Sequence, residues 1–176
     1  MSGQASLFDE EPRYCIDTNV IVSFLRQTED EYYGSDVFAP QWQYIEQLID
    51  ARAIVAPLQV ERELAKWAKT IAELREWLRK RRHMFRDVVS DTQLALAKKI
   101  VNQYPIYGET DNYLGDLEVI TLAGALGIAV ISLEGEKENA GKRRPKIPNI
   151  CREFGIDCVS VSGFLRREGF GQAEGR

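Results

Sequence analysis

The chain has 176 residues, of which 44% are hydrophobic and 28% charged, the composition of a single globular domain with a sizeable core. Its formal net charge of -4 does not favour a nucleic-acid-binding protein, although a local basic patch matters more than the total. The three cysteines form no close pair, which argues against a disulfide framework or a zinc site. The single histidine, His83, excludes any site that requires two, so carboxylates remain as the candidates for chemistry.

The ends of the chain are polar, and no signal-peptide segment or run of transmembrane length occurs. We therefore expect a disordered lead over residues 1–12, one domain over 13–168, a disordered tail over 169–176, and a cytoplasmic location. His83 lies in a basic stretch, so we expect it at the surface.

Short apolar runs alternate with helical patterns along the chain. In chain order the patterns predict a strand at 14–18, helices at 20–26 and 37–51, a strand at 53–55, a helical stretch at 58–84 that could be two helices, a helix at 90–104 capped by Ser90, a loop at 105–112, a helix at 113–126 ended by Gly127, a strand at 128–132, a polar loop at 134–149, a helical turn at 150–154, a strand at 157–161 and a helix at 162–168. This alternation predicts an α/β fold with a parallel sheet.

One apolar stripe runs through the long helical stretch and consists of Leu64, Trp67, Ile71, Leu74 and Leu78. Its spacing of three and four residues predicts a helix face packed on the core. The alternative is a surface for a partner helix or a dimer.

The first candidate for chemistry is Asp17, which follows an apolar strand in the sequence Asp17-Thr18-Asn19. Sites in open parallel sheets form outside the carboxyl ends of the strands, so a carboxylate there is well placed for function. The alternative is that Asp17 only caps the next helix, because aspartate is a favoured N-cap residue.

Three further acids occupy comparable positions. Glu63 lies near the start of the long helical stretch, Asp116 opens an apolar helix, and Glu134 follows the strand at 128–132, with Glu136 as a close competitor. For Glu63 and Asp116 alone, a favourable position in the field of a helix N-terminus is the simpler interpretation.

Acids after parallel strands and at helix starts can converge at one end of a sheet. Clustered carboxylates raise one another's pKa values unless a cation neutralises them. Hard oxygen ligands select Mg²⁺ or Mn²⁺, so the pattern predicts a site for one of these metals.

The segment YCIDTNVI at 14–21 resembles the opening strand of PIN-domain proteins, the fold of VapC-type toxin ribonucleases. From about residue 14 to 167 the chain resembles DUF4411, a PIN-like family of unknown function. The further segments that carry this resemblance are SDVF at 35–38 followed by Trp42, LAKWAK at 64–69, GDLEVI at 115–120, VIS at 130–132 with Glu134, and KIPNIC at 146–151. The resemblance implies a PIN-like three-layer α/β/α sandwich with a central, mostly parallel sheet.

PIN domains hold one or two divalent metals with three or four acids, and the resemblance places the first three at Asp17, Glu63 and Asp116. The fourth falls on Glu134 or Glu136, or is absent, since many VapC-type proteins have an aspartate after a threonine there.

The resemblance also assigns polar residues near these acids. Thr18 and Asn19 match positions that support the first acid, and Ser132 matches a threonine with the same role. Glu118 replaces the usual apolar residue two places after the third acid, and we interpret it as a surface residue because it lies on the opposite helical side from Asp116.

The implied function is metal-dependent hydrolysis of RNA phosphodiester bonds by the toxin of a bacterial type II toxin–antitoxin pair. A metal on the acids would lower the pKa of a bound water and polarise a phosphate oxygen. Two basic runs are candidates for RNA contact, and the residues proposed for it are Arg79, Arg82, Lys142, Arg143, Arg144 and Lys146. The expected partners are RNA, an antitoxin protein and, as in related toxins, a second copy of the chain.

Two other functions fit the same sequence. The departure at the fourth acid leaves open a catalytically silent PIN-like module that binds nucleic acid or protein. A structural subunit of a larger assembly is the other alternative, and it would use the apolar stripe or the three tryptophans. If the chain is a nuclease, its metal site does not distinguish tRNA, mRNA, rRNA and DNA.

Overall fold

The computed structural model describes residues 10–133 and 145–172, and the structural statements below refer to those two ranges. In chain order the elements are β1 (Tyr14–Ile16), α1 (Thr18–Leu25), α2 (Ala39–Asp50), β2 (Ile54–Pro57), α3 (Leu58–Trp67), α4 (Ala72–Lys80), a 3₁₀ turn (Arg82–Met84), β3 (Phe85–Arg86), α5 (Asp91–Gln103), α6 (Ile106–Glu109), a second 3₁₀ turn (Asp111–Tyr113), α7 (Leu114–Leu126), β4 (Ala129–Ile131), α8 (Ile147–Glu153), β5 (Cys158–Val159) and α9 (Val161–Arg167). None of the described helices is long and apolar enough to cross a membrane.

The described strands form one sheet in the order β3-β2-β1-β4-β5, and each neighbouring pair is parallel. From the central strand β1 the chain adds β2 and β3 on one side, and later adds β4 and β5 on the other. The strand order therefore reverses between β1 and β4, which is the place where open parallel sheets bind ligands.

The strands are short and fully covered. All residues of β1, β2 and β4 are buried. Because successive side chains of a strand point to opposite faces, this burial requires helices on both faces of the sheet. The predicted three-layer α/β/α sandwich is confirmed, and its described strands are all parallel.

The helical stretch predicted at 58–84 is two helices, so its apolar stripe is not continuous. α3 ends at Trp67, whose carbonyl accepts hydrogen bonds from the backbone N–H groups of Thr70 (3.0 Å) and Ile71 (2.9 Å) and so closes a turn. Leu64 on α3 and Leu74 on α4 are fully buried within the chain. The residues of the stripe on both sides of the turn thus face the core, as the first interpretation predicted.

Two local predictions are confirmed and two are corrected. Ser90 caps α5 through a capping box with Gln93, and Gly127 ends α7 in the left-handed conformation, with a φ of 66°. The predicted loop at 105–112 contains α6 and a 3₁₀ turn. β3, with two residues, was not predicted, because a strand that short shows no alternation to detect.

The surface position expected for His83 is also corrected. Its ring is half-buried, and Nε2 lies 3.0 Å from the carbonyl oxygen of Ile49, so Nε2 carries the proton that it donates. Cys15 and Cys151 are fully buried and Cys158 is half-buried, and none of the three forms a disulfide. Burial raises the pKa of Cys15, which suits the predicted core role.

Residues near both ends of the described part of the chain make contacts with its interior elements. The N–H of Glu10 donates to the carbonyl of Ala51 (2.8 Å), and the ring of Phe170 packs against Tyr44 with centroids 5.4 Å apart.

Glu168, at the end of α9, joins that helix to the start of β1. Its carboxylate accepts hydrogen bonds from the Tyr14 hydroxyl (2.7 Å) and the Arg13 guanidinium (2.9 Å). Burial alone would raise the pKa of Glu168, but these bonds and the charge of Arg13 hold it below its usual value of 4.5. A lowered pKa stabilises the folded state above the unfolded-state pKa, and the stabilisation is lost as pH falls through the folded-state pKa.

The free energy of unfolding should fall between neutral and acidic pH, partly because Glu168 becomes protonated. Glu168→Gln should therefore make this fall smaller. Urea unfolding of both proteins at pH 7 and at pH 3 measures this, with Glu73→Gln on the exposed face of α4 as the control. The free energy of unfolding should fall less for Glu168→Gln than for the other two proteins, and an equal fall in all three would refute the assignment.

Candidate functional site

Three helix N-termini meet at the edge of the sheet where β1, β2 and β4 end, here called the carboxyl edge. α1 begins directly after β1, and α3 begins directly after β2. α7 ends just before β4 begins, so its first turn lies at the carboxyl edge as well. Since each helix N-terminus carries partial positive charge, this edge favours anionic groups.

Asp17 is buried at the centre of the carboxyl edge, with 2% of its surface exposed. Its backbone N–H donates to the carbonyl of Ile131 at the end of β4 (3.1 Å), which places the residue at the reversal of strand order. Asp17 occupies the N-cap position of α1, yet its side chain makes no capping hydrogen bond. Capping therefore does not account for a buried carboxylate at this position.

Glu63, on α3, lies between the starts of α1 and α7. The hydroxyl of Thr18 donates to Oε2 of Glu63 at 2.5 Å. A Cβ atom at Gly115 would lie 2.0 Å from Oε1 of Glu63, so only glycine leaves room for the carboxylate there. Thr18, predicted to support the first acid, thus contacts the second.

Asp116 follows Gly115 in the first turn of α7 and is half-buried. The carboxylate of Glu63 therefore packs against the residue directly before the third predicted acid. Ser132, directly after β4, is 1% exposed, and Asn19, in the first turn of α1, is exposed.

The surface position predicted for Glu118 is wrong. It is half-buried rather than on the surface, and it lies near Glu63 and Arg62 of α3. Burial and the neighbouring charge of Glu63 raise the pKa of Glu118, while the backbone of Gln59 and the charge of Arg62 act in the opposite direction. A signal was available: α7 is apolar around its circumference, and such a helix has no solvent face.

Within residues 10–133 and 145–172, no three His, Cys, Asp or Glu side chains form a group that could hold a metal. Both candidates for the fourth acid, Glu134 and Glu136, lie outside these ranges. The donor chemistry nevertheless suits a hard divalent cation, because Asp17, Glu63 and Asp116 supply only oxygen atoms. The space kept open by Gly115 is the feature that fits such a site, since it lets the Glu63 carboxylate lie against the turn that carries Asp116.

A family model described as a domain of unknown function, DUF4411, matches residues 14–171. The chain belongs to the DUF4411 family. The match covers the whole sheet and every predicted acid, so the carboxyl edge is part of the family domain. No curated protein matches the chain.

The two basic runs of this DUF4411 domain lie at different places. Arg79 is exposed on the last turn of α4 and pairs with Glu76 through two hydrogen bonds, of 2.9 and 2.6 Å. Arg82, also exposed, lies just before β3 begins, at the edge of the sheet opposite to the acids. These two residues are thus not brought near Asp17.

The second run is closer to the acids. Lys146 is half-buried at the N-cap of α8, the helix that follows β4, so it lies toward the carboxyl edge. Lys142, Arg143 and Arg144 lie outside the described residues. Arg62, which no motif had singled out, is exposed on α3 beside Glu118.

A cavity of about 420 Å³ lies at the opposite edge of the sheet, between α5, the end of α7 and the turn before β5. Its volume is within the range of ligand pockets. Its lining includes Lys99, Gly127 and Asp157 and none of the predicted acids, so it is separate from the carboxyl edge.

Proposed function

We propose that the DUF4411 chain is a divalent-metal-dependent endoribonuclease whose active site is the carboxyl edge. The observation that supports this most is the place of Asp17, whose carboxylate is buried at the reversal of strand order, where open parallel sheets bind ligands. The resemblance of the segment around Asp17 to the opening strand of PIN domains supports the same activity.

Asp17, Glu63 and Asp116 are the residues that would hold Mg²⁺ or Mn²⁺, with Glu134 or Glu136 as a fourth acid. The cation would lower the pKa of a bound water and polarise a phosphate oxygen. No nucleophilic side chain is required for this chemistry, which suits a chain whose one histidine is bonded to a core carbonyl.

The protein's own groups orient the acids and the phosphate. Thr18 fixes one oxygen of Glu63 by donating its hydroxyl hydrogen, which leaves the other oxygen beside Gly115. The starts of α1, α3 and α7 direct partial positive charge toward the same edge, where a phosphate of the substrate would be stabilised.

RNA contact near the acids is assigned to Lys146 with the predicted residues Lys142, Arg143 and Arg144, and to Arg62. Phosphate contacts of this kind position a strand without reading its sequence. We expect Arg62→Ala to weaken binding to unrelated RNA sequences by a similar factor and to reduce the dependence of affinity on salt. Fluorescence anisotropy with two RNA sequences in a series of salt concentrations measures both effects, and an unchanged salt dependence would remove Arg62 from the interface.

The biological role proposed is that of a toxin in a type II toxin–antitoxin pair, acting in the cytoplasm on cellular RNA. It rests on the resemblance to VapC-type proteins, and so do the antitoxin partner and the homodimer. Induced expression in a bacterium should then stop growth, and Asp17→Asn should abolish that effect at equal protein levels. If the wild type and Asp17→Asn both stop growth, the toxicity does not depend on the carboxylate of Asp17.

The activity is tested by incubating purified protein with total RNA in Mg²⁺, in Mn²⁺ and in EDTA. A double variant, Asp17→Asn with Asp116→Asn, is purified in parallel. The proposal predicts cleavage that requires both the metal and the two acids. Equal cleavage by the double variant would indicate a contaminant, and an inert wild type in both metals would favour a silent binding module.

A further inference from the structure

A buried tyrosine on the short helix α6 bonds to the residue that precedes α8. Tyr107 is 2% exposed, and a hydroxyl buried to that extent needs a hydrogen-bond partner inside the protein. The hydroxyl donates to the carbonyl oxygen of Pro145 (3.0 Å). Pro145 is itself buried and lies directly before Lys146, the N-cap residue of α8. The bond therefore ties α6 to the start of α8.

The same tyrosine also contacts the start of α7. Its ring packs against the ring of Tyr113, with centroids 5.1 Å apart and planes inclined at 44°. Tyr113 is the N-cap residue of α7 and lies three residues before Asp116, the third predicted acid. Tyr107 thus lies between the helix that carries this acid and the helix that begins at Lys146.

The peptide group that joins Pro145 to Lys146 is held at both of its polar atoms. Its carbonyl accepts the hydrogen bond from Tyr107, and its N–H donates to Oδ1 of Asn149 (3.2 Å). Because Pro145 is buried, water is a poor replacement for Tyr107 at the carbonyl. Losing the tyrosine hydroxyl would free this peptide group to turn, and the bond to Asn149 would weaken with it.

We propose that Tyr107 is a positioning residue that fixes the start of α8 against the start of α7 and so sets the place of Lys146 relative to the acids. This inference rests on the proposed ribonuclease function, in which Lys146 contacts a phosphate of the RNA. Such a contact helps cleavage only when it holds the strand at a fixed separation from the reacting phosphate. Tyr107 has no contact with RNA in this role and acts through Lys146.

Three variants isolate this role. Tyr107→Phe removes only the hydroxyl and keeps the ring that packs against Tyr113. Lys146→Met removes the charge and keeps an unbranched side chain, and the third variant combines both changes. The matched control is Tyr104→Phe, because the Tyr104 hydroxyl donates to the carboxylate of Glu153, the last residue of α8. It therefore removes a bond of the same kind at the other end of the helix.

Two quantities are measured in EDTA, where RNA is bound without metal-dependent cleavage: hydrogen exchange of the Lys146 amide, and affinity for a single-stranded RNA by fluorescence anisotropy. We expect Tyr107→Phe to speed the exchange and to weaken RNA binding by roughly 2- to 10-fold, the range that one lost hydrogen bond implies. Tyr104→Phe should change neither quantity.

The double variant shows whether Tyr107 acts through Lys146. It should bind RNA no more weakly than Lys146→Met alone, because the contact that Tyr107 positions is already absent. The dependence of affinity on salt should also fall in Tyr107→Phe toward that of Lys146→Met, since a phosphate contact is weakened in both. A tyrosine that only stabilised the fold would produce losses that add.

Three results would overturn the inference. Unchanged exchange at Lys146 in Tyr107→Phe would show that the bond does not hold the start of α8. Faster exchange with unchanged RNA affinity, or losses that add in the double variant, would show that the tyrosine does not act through a contact of Lys146. A wild type that binds no RNA would refute the proposed function and the positioning role together, while the exchange data would still report on the bond.

Discussion

Asp17→Asn should abolish RNA cleavage while leaving the fold intact. The variant keeps the size of the side chain at a site that is 2% exposed and removes the charge that a cation requires. A bound metal contributes several kcal/mol to catalysis, and about 1.4 kcal/mol corresponds to a factor of ten, so kcat/KM should fall on the order of 10³-fold or more.

The stability of the same variant distinguishes function from structure. If Asp17 serves the metal and not the fold, its replacement by asparagine, a side chain of the same size, should leave the free energy of unfolding in metal-free buffer close to that of the wild type. Urea unfolding and RNA cleavage are measured together, with Asp91→Asn, an exposed acid that opens α5, as the matched control. A variant that loses stability and activity in parallel would show that Asp17 serves the fold.

Gly115→Ala should lower activity through Glu63 rather than through the fold. The new Cβ atom would lie 2.0 Å from Oε1 of Glu63, far inside contact distance, so the carboxylate must move away. Displacing a ligand in this way should reduce Mn²⁺ affinity and cleavage by roughly 10- to 100-fold. Alanine is more favourable than glycine in a helix interior by up to about 1 kcal/mol, which offsets the cost of moving the Glu63 side chain. The free energy of unfolding should therefore change little.

Gly124→Ala is the control on the same helix. Its Cβ atom would meet Leu96 at 2.5 Å and Ile156 at 3.0 Å, both apolar and away from the acids. This variant should keep its Mn²⁺ affinity and its cleavage activity, whereas Gly115→Ala should lose both. If Gly115→Ala binds Mn²⁺ as tightly as the wild type, Glu63 is not a ligand.

The fold was predictable because its strands are short apolar runs that cannot form helices. The segments that form β1 and β4 are continuous apolar runs in the sequence, and such runs are typical of parallel strands that are buried on both faces. β3 and the break between α3 and α4 were not predicted in full. The two residues of β3 are too few for a periodic pattern, and a turn that keeps both helices facing the core leaves the apolar spacing unbroken.

The residues of the candidate site could be proposed one by one from the sequence, but the contacts between them could not. A carboxylate after a strand or at a helix start is visible in the sequence, which is why Asp17 and Asp116 could be selected. Which helix starts lie side by side depends on the strand order, and so the close approach of Gly115 to the Glu63 carboxylate and the half-buried position of Glu118 were not predicted. Gly115 carried one signal, since a glycine in the first turn of an apolar helix often has a packing or functional reason.

The most direct test of the account is the chemistry of the fragment ends. A defined RNA is cleaved by the purified protein in Mg²⁺, and the ends are identified by mass spectrometry. Attack by water on phosphorus leaves a linear phosphate on one fragment and a hydroxyl on the other. Metal-dependent hydrolysis at the carboxyl edge predicts linear phosphates that form only with the metal and are absent with Asp17→Asn. Fragments ending in 2′,3′-cyclic phosphate, or cleavage in EDTA, would contradict this mechanism.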